Sequence, residues 1–270
     1  MSKSNFGTCK LTGTVGPFVK SHILPASLTR PAYSGGMLFQ HGSGRRAQKR
    51  RTSWYDPAMV CAEGEKLLSD LDDWGIKFLR RERLVWSGFG PINRVDPDIS
   101  LSDLGPDLRD YGIRNLKVEE AESLRRFFLS LLWRASVSKL PEMHEVQLNK
   151  DDEDKLTGYL VGDEELPITF FPCWLTQHHE VGFPHNLTPI RREKIVPSIA
   201  GSPERSVNIY RFYFDGLVSH FHEIGEGDAD QIARSTLTVG YGSELAVTCV
   251  PWSRSAQLEN VLHLARESLW

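Results

Sequence analysis

The sequence predicts an α+β protein, and three observations carry that prediction. Leu124, Phe127, Phe128, Leu131, Leu132 and Ala135 recur at helical spacing and form one apolar stripe. The β-branched and aromatic run 207–214 is followed by Asp215-Gly216 and a second strand-like run, 217–222, which is the signature of a tight hairpin. Residues 236–241 and 244–250 suggest a second strand pair around Gly242. Helices packed on a small antiparallel sheet satisfy all three.

Taken in order, three regions can be distinguished. Residues 1–82 are rich in turn formers and end in a helical pattern of Leu67, Leu71, Trp74 and Phe78. That helix starts either at Asp56-Pro57, where Asp can cap and Pro suits the first turn, or nearer Glu65. Residues 83–115 carry Pro91, Pro97 and Pro106 with several glycines and read as a connecting segment, partly ordered against a domain. Residues 116–270 form the α+β region. They begin with the apolar stripe, continue with a short strand at Ile168-Thr169-Phe170-Phe171 and the two hairpins, and end in a helix from Gln257 with Leu258, Val261, Leu262, Ala265 and Leu269 on one face.

Composition narrows the class. A chain of 270 residues can bury one large core or two small ones. No stretch approaches the roughly 20 apolar residues of a membrane span, and the N-terminus lacks a signal-type apolar run. Cys9, Cys61, Cys173 and Cys249 are too scattered for a disulfide framework and suit a reducing cytoplasm. With a net charge of -3, any grip on nucleic acid must come from a local patch.

The N-terminal region holds the distinctive motifs. They are Cys9-Lys10-Leu11-Thr12, then Ser21-His22-Ile23-Leu24-Pro25, then Cys61-Ala62-Glu63-Gly64-Glu65 ahead of a helix. This pattern resembles a prokaryotic HNH-like family that reads Cys-x-x-Cys, Ser-His-Ile-x-Pro and Cys-x-x-Cys-Glu. The stretch 126–136 is also similar to a segment further along such chains. The resemblance implies a zinc-held ββα module in which His22 is the general base and Glu65 a ligand of a catalytic divalent metal, magnesium or manganese. Ser21 stands where many relatives carry Asp or His.

Both knuckles depart from the family pattern, with Thr12 and Gly64 in place of their second cysteines. Two thiolates hold zinc far more weakly than four, so structural zinc is not expected. The basic run of Arg45, Arg46, Lys49, Arg50 and Arg51 either positions phosphates or is a solvated loop. Trp54 and Tyr55 beyond it either stack on bases or open the next helix. His220 and His222 alternate on a strand, share one face and could join His185 or His178-His179 at a metal. The acids at 151–154 suit a solvated turn or helix start.

Two functional expectations follow from the resemblance. One is a metal-dependent endonuclease acting on nucleic acid, DNA ahead of RNA, in a bacterial or phage defence system. The other is a non-catalytic subunit of such a complex, binding nucleic acid, a protein partner or a second copy of itself. Neither involves a membrane.

Overall fold

The computed structural model describes residues 5–30, 36–42, 45–196, 205–225 and 232–267. The N-terminal region opens with two short antiparallel strands, β1 (Phe6–Thr8) and β2 (Val15–Pro17). A third strand, β3 (Ser21–His22), pairs with β6 (Tyr55–Asp56), setting Ser21 opposite Asp56 and His22 opposite Tyr55. Between them lies the hairpin β4 (Leu38–Gly42) and β5 (Arg45–Arg50).

Helix α1 (Ala62–Arg81) follows. Its first turn carries Glu63 and Glu65 and its last turn Arg80 and Arg81, a charge order that complements the helix dipole. Of the two expected starts, the one nearer Glu65 holds, with Glu65 in the first turn; Asp56 belongs to β6, and its carboxylate accepts from Ala58 N at 2.8 Å, Ser138 Oγ at 2.9 Å and Lys139 N at 3.2 Å. Cys61 is the residue from which α1 departs.

The largest sheet has seven strands rather than the few expected. They are β7 (Ile99–Ser100), β8 (Gly112–Lys117), β9 (Cys173–His178), β11 (Ile190–Val196), β12 (Arg205–Phe214), β13 (Leu217–Glu223) and β14 (Glu244–Val250), in spatial order β11-β12-β13-β9-β14-β8-β7. Every pairing is antiparallel except β9 with β14. The β12–β13 hairpin turns on Asp215 and Gly216 at φ 49° and 81°, both in the left-handed region that a two-residue hairpin of this hand requires.

Two expected strands are turns. Residues 168–171 are bracketed by Pro167 and Pro172, which cannot donate to a ladder, and Phe171 takes a φ of 43°. The strand begins only beyond them, at Cys173. Residues 236–241 make a single isolated bridge, Thr238 to Trp174, so β14 finds its partners in β8 and β9 instead.

Helices α2 (Ala121–Val137) and α3 (Lys150–Val161) cover one face of this sheet, and α4 (Ala256–Glu267) lies beyond β14. All six residues of the apolar stripe on α2 are buried, and so are its neighbours Leu129, Ser130, Trp133 and Arg134. The acids at 151–154 open α3, the first three in its first turn, and the helix is capped by Asn149, whose side chain accepts from Asp152 N. One core runs from Cys9, Leu24 and Val60 through Phe78 and Val85 to Phe127, Phe212 and Val247, so it draws on all three sequence regions. A further strand, β10 (His185–Leu187), leaves the C-terminal region and pairs in parallel with β4, His185 opposite Phe39. Among the described residues no helix is long and apolar enough to cross a membrane.

Candidate functional site

The two distant cysteines of the N-terminal region meet. After β1 the chain turns tightly at Cys9, with Cys9 N bonded to Thr14 O at 2.8 Å and Gly13 N to Cys9 O at 2.9 Å. This turn is clamped to the segment before α1 by Lys10 N to Met59 O and Val19 N to Val60 O, both 3.0 Å, and by a bridge between Phe18 and Cys61. Both cysteines are buried free thiols. Thr12 Oγ1 lies 3.9 Å from Cys61 Sγ, and a methyl group on Gly64 would lie 2.7 Å from Cys9 Sγ. Residues 9, 12, 61 and 64, the four positions that the resemblance assigns to zinc knuckles, therefore converge. Burial alone would raise the Cys9 thiol, but hydrogen bonds from the Thr12 hydroxyl and from the backbone N–H groups of Cys61, Thr12 and Leu11 hold it below its ordinary value.

Strand β3 sends its two side chains to opposite sides. Ser21 points inward, and its hydroxyl lies against the Glu65 carboxyl on the first turn of α1. Ser21 Oγ and Glu65 Oε2 are both buried without a hydrogen bond of normal geometry. Burial raises the Glu65 carboxyl and nearby Asp72 adds to this, while Ser21 and the positive charge of Arg134 oppose it. His22 points the other way and is half-buried. Its Nε2 lies 3.0 Å from Thr52 Oγ1, and its ring lies 6.0 Å from that of Tyr55, which Lys20 covers at 3.6 Å. Burial, then the charges of Lys20, Arg30 and Arg134, push the imidazole down to about 4, so it is neutral at pH 7.

Arg134 joins these groups. It is 1% exposed and grips Asp72 with two bonds, Nη2 to Oδ1 at 2.6 Å and Nη1 to Oδ2 at 2.9 Å. The same guanidinium donates to His22 O and to Leu68 O, each at 3.3 Å, and so ties α2 to β3 and α1. Sequence reasoning missed it, although an arginine within an otherwise apolar helical stretch is a readable sign of a buried ion pair.

No family model, curated protein or solved structure matches the chain. The site must therefore be judged on its own chemistry. The donors beside Glu65 are one carboxylate and one hydroxyl, with a fixed guanidinium close enough to act on both Glu65 and His22. Magnesium or manganese can be held by one or two carboxylates with waters, but the second carboxylate near Glu65, that of Asp72, is gripped by Arg134, whose fixed charge opposes another cation, so the residues present do not fit a divalent ion. Zinc fares no better at the knuckles, where the cysteine sulfur itself fills the space in front of Gly64. Among the described residues no group of three or more His, Cys, Asp or Glu is arranged to hold a metal.

The basic run is a strand. β5 is an edge strand of the sheet β10-β4-β5, and the side chains of Arg45 and Arg46 lie outside the described residues. Lys49 Nζ sits 5.3 Å from the centre of the Phe39 ring, and Arg50 Nη2 donates to Gln48 Oε1 at 2.6 Å. Arg51 is exposed and directly precedes Thr52, the partner of His22. Phe39 packs on Phe183 at 5.7 Å, and both rings remain partly exposed, as does Tyr55, while Trp54 is buried. A basic and aromatic edge thus borders His22.

The histidines expected to share a metal are divided between two places. His185 stacks on Tyr213 at 4.6 Å near His178 and Trp252. His222 packs against Trp174 at 4.7 Å, and its Nε2 lies 3.3 Å from Lys194 Nζ.

Proposed function

We propose that the chain is a nucleic-acid-binding protein built on an HNH-like module that no longer cuts, DNA being the favoured ligand. The observation that carries this reading is the buried Arg134 guanidinium acting on Glu65 and His22, where cleavage would need a metal ion. It supplies positive charge that cannot be exchanged and that has no open coordination position for a phosphate oxygen or a water. The convergence of positions 9, 12, 61 and 64 supports the kinship of the module. The edge formed by Lys49, Arg50 and Arg51 with Phe39 and Tyr55 supports binding, because cations track phosphates while partly exposed rings stack on bases.

The test is fluorescence anisotropy on single- and double-stranded DNA and RNA, with and without EDTA, alongside a cleavage assay in magnesium or manganese. Binding insensitive to EDTA, without cleavage, is expected. Metal-dependent cleavage that His22→Ala abolishes would restore the endonuclease reading. That second reading draws on one observation, the neutral imidazole of His22, which has the protonation state a general base needs at pH 7. Absence of binding to every nucleic acid would leave the module as a platform for a protein partner.

A further inference from the structure

Two thiols stand in the N-terminal region and two in the large sheet, and their surroundings differ. Register between β9 and β14 sets Cys249 opposite Gln177, so Cys173 lies four positions away along β9, about 13 Å at the rise of a strand. A disulfide needs Cα atoms within about 7 Å, so these two cannot join. Burial also pushes the Cys173 thiol well above its ordinary value and that of Cys249 up to about 12, which keeps both inert at neutral pH.

Cys9 and Cys61 are brought together by three separate contacts. The backbone N–H of Cys61 donates to Cys9 Sγ. Thr12 Oγ1 lies 3.9 Å from Cys61 Sγ and is also a hydrogen-bond neighbour of Cys9 Sγ, so one hydroxyl touches both sulfurs. Gly64, one turn of α1 beyond Cys61, meets Cys9 Sγ with no side chain between them. The backbone holds this pairing in place. Lys10 N bonds to Met59 O, Val19 N bonds to Val60 O, and Thr14 Oγ1 donates to Glu63 Oε2 at 2.8 Å across the same seam. One thiol stands in each of the two clamped segments, so a bond between the sulfurs joins the segments as a shared metal would.

We propose that Cys9 and Cys61 are a redox pair that closes to a disulfide within the folded protein when a hydroperoxide reaches it. Cys61, 5% exposed against 1% for Cys9, reacts first. Its thiolate attacks one oxygen of hydrogen peroxide. The O–O bond breaks, Cys61 becomes a sulfenic acid, and the second oxygen leaves as hydroxide and takes up the thiol proton to give water. The Cys9 sulfur, deprotonated among its hydrogen-bond donors, then attacks the Cys61 sulfur and expels the hydroxyl, which leaves as a second water. Two thiols lose two electrons in all, and one peroxide is reduced to two waters. Peroxide is little larger than water and suits thiols so nearly closed to solvent better than a bulky disulfide reagent does. The bond encloses residues 10–60, which carry His22 and the basic edge, yet its formation is independent of nucleic-acid binding.

The test treats the folded full chain with hydrogen peroxide, unfolds it, alkylates the remaining thiols with iodoacetamide and maps the peptides by mass spectrometry. A Cys9–Cys61 bridge is expected, two hydrogens lighter than the separate peptides and reversed by dithiothreitol, with Cys173 and Cys249 alkylated. The oxidised protein should unfold several degrees above the reduced one, as closure of a long loop dictates. In Cys9→Ser, dimedone should trap Cys61 as its sulfenic acid, and Cys61→Ser should take up none. If either variant does not fold, the map of the unaltered chain decides alone. Cys9 and Cys61 both alkylated after peroxide, sulfinic or sulfonic acid in place of the bridge, or a bridge only between two chains overturns the proposal. So does a bridge that lowers Tm, since the bond would then form at the expense of the fold.

Discussion

Gly64 faces the sulfur of Cys9 so closely that a side-chain methyl would lie 2.7 Å from Sγ and 3.2 Å from Val60 Cβ. Neither neighbour is the free end of a flexible chain, since both are packed in the core. Gly64→Ala should therefore destabilise the protein by about 1–3 kcal/mol, despite the gain in helix propensity, as overpacked cores do. Urea unfolding checks this, and a more stable variant would refute the close approach.

The same geometry yields a gain-of-function prediction. Thr12→Cys with Gly64→Cys rebuilds a four-thiolate set at positions that already converge. The double variant should purify with about one equivalent of zinc, because zinc binding would supply energy to move Cys9 Sγ out of the space before residue 64. Elemental analysis of both proteins decides. A double variant without zinc would mean that the four positions do not form a tetrahedral site.

Arg134→Met should destabilise strongly, by about 3–5 kcal/mol, since it leaves the Asp72 carboxylate and two backbone carbonyls without their donor. Pairing it with Asp72→Leu should recover part of the loss, because the uncompensated charge is removed as well. A double-mutant cycle measures the coupling.

Stability should fall on acidification between pH 6.5 and 4. His178 and His185 are pushed by burial to about 4 and His222 to about 3, all below the ordinary 6.5 of an unfolded chain. Above 6.5 both states are neutral. Below it the unfolded chain takes up protons that the folded one refuses, so the stability present at neutral pH is progressively lost. The carboxyls of Asp215, raised to about 6, and of Glu65 and Glu153, also raised by burial, act in the opposite sense, while His22, pushed down to about 4, adds to the histidine effect. His178 and His185 together should lower Tm by on the order of 10 °C from pH 7 to pH 5, read by calorimetry in matched buffers. A flat profile would contradict their burial.

Reversing charge at Lys49, Arg50 and Arg51 should weaken nucleic-acid binding and reduce the slope of log affinity against log salt by about two to three for single- or double-stranded ligand. These side chains are exposed on the edge strand β5 and just beyond it, so Tm should stay within a degree or two. An unchanged salt slope would place the interface elsewhere.

Helix α2 was legible because its six stripe residues are large, apolar and all buried. Helix α1 was legible as a helix, and of its four expected apolar positions Phe78 is buried and Leu71 and Trp74 pack partly buried against the core. Leu67 is 36% exposed, and the fully buried positions besides Phe78 are Gly64, Leu68, Gly75 and Leu79. Glycines that allow close approach carry no hydrophobic signal, so periodicity pointed about one residue off. Strands of three residues such as β10 exist only through a partner far away in sequence and leave little local trace. In the site, the meeting of Cys9 with Cys61 and the place of Glu65 on the first turn of α1 could be anticipated from motif spacing. Arg134 left a sign in the apolar stretch around it, but its partner Asp72, 62 positions away, could not be read, because that pairing is a product of packing.

Strand β10 lies about 145 positions after the hairpin it completes, and it makes β4 the central strand of the sheet. During synthesis the basic hairpin must wait with an open edge until residue 187 has left the ribosome. An excised N-terminal fragment ending after α1 would keep that edge permanently bare, as well as the apolar side of α1 that α2 covers. Such a fragment should self-associate rather than behave as a portable finger, so grafting experiments need the whole chain.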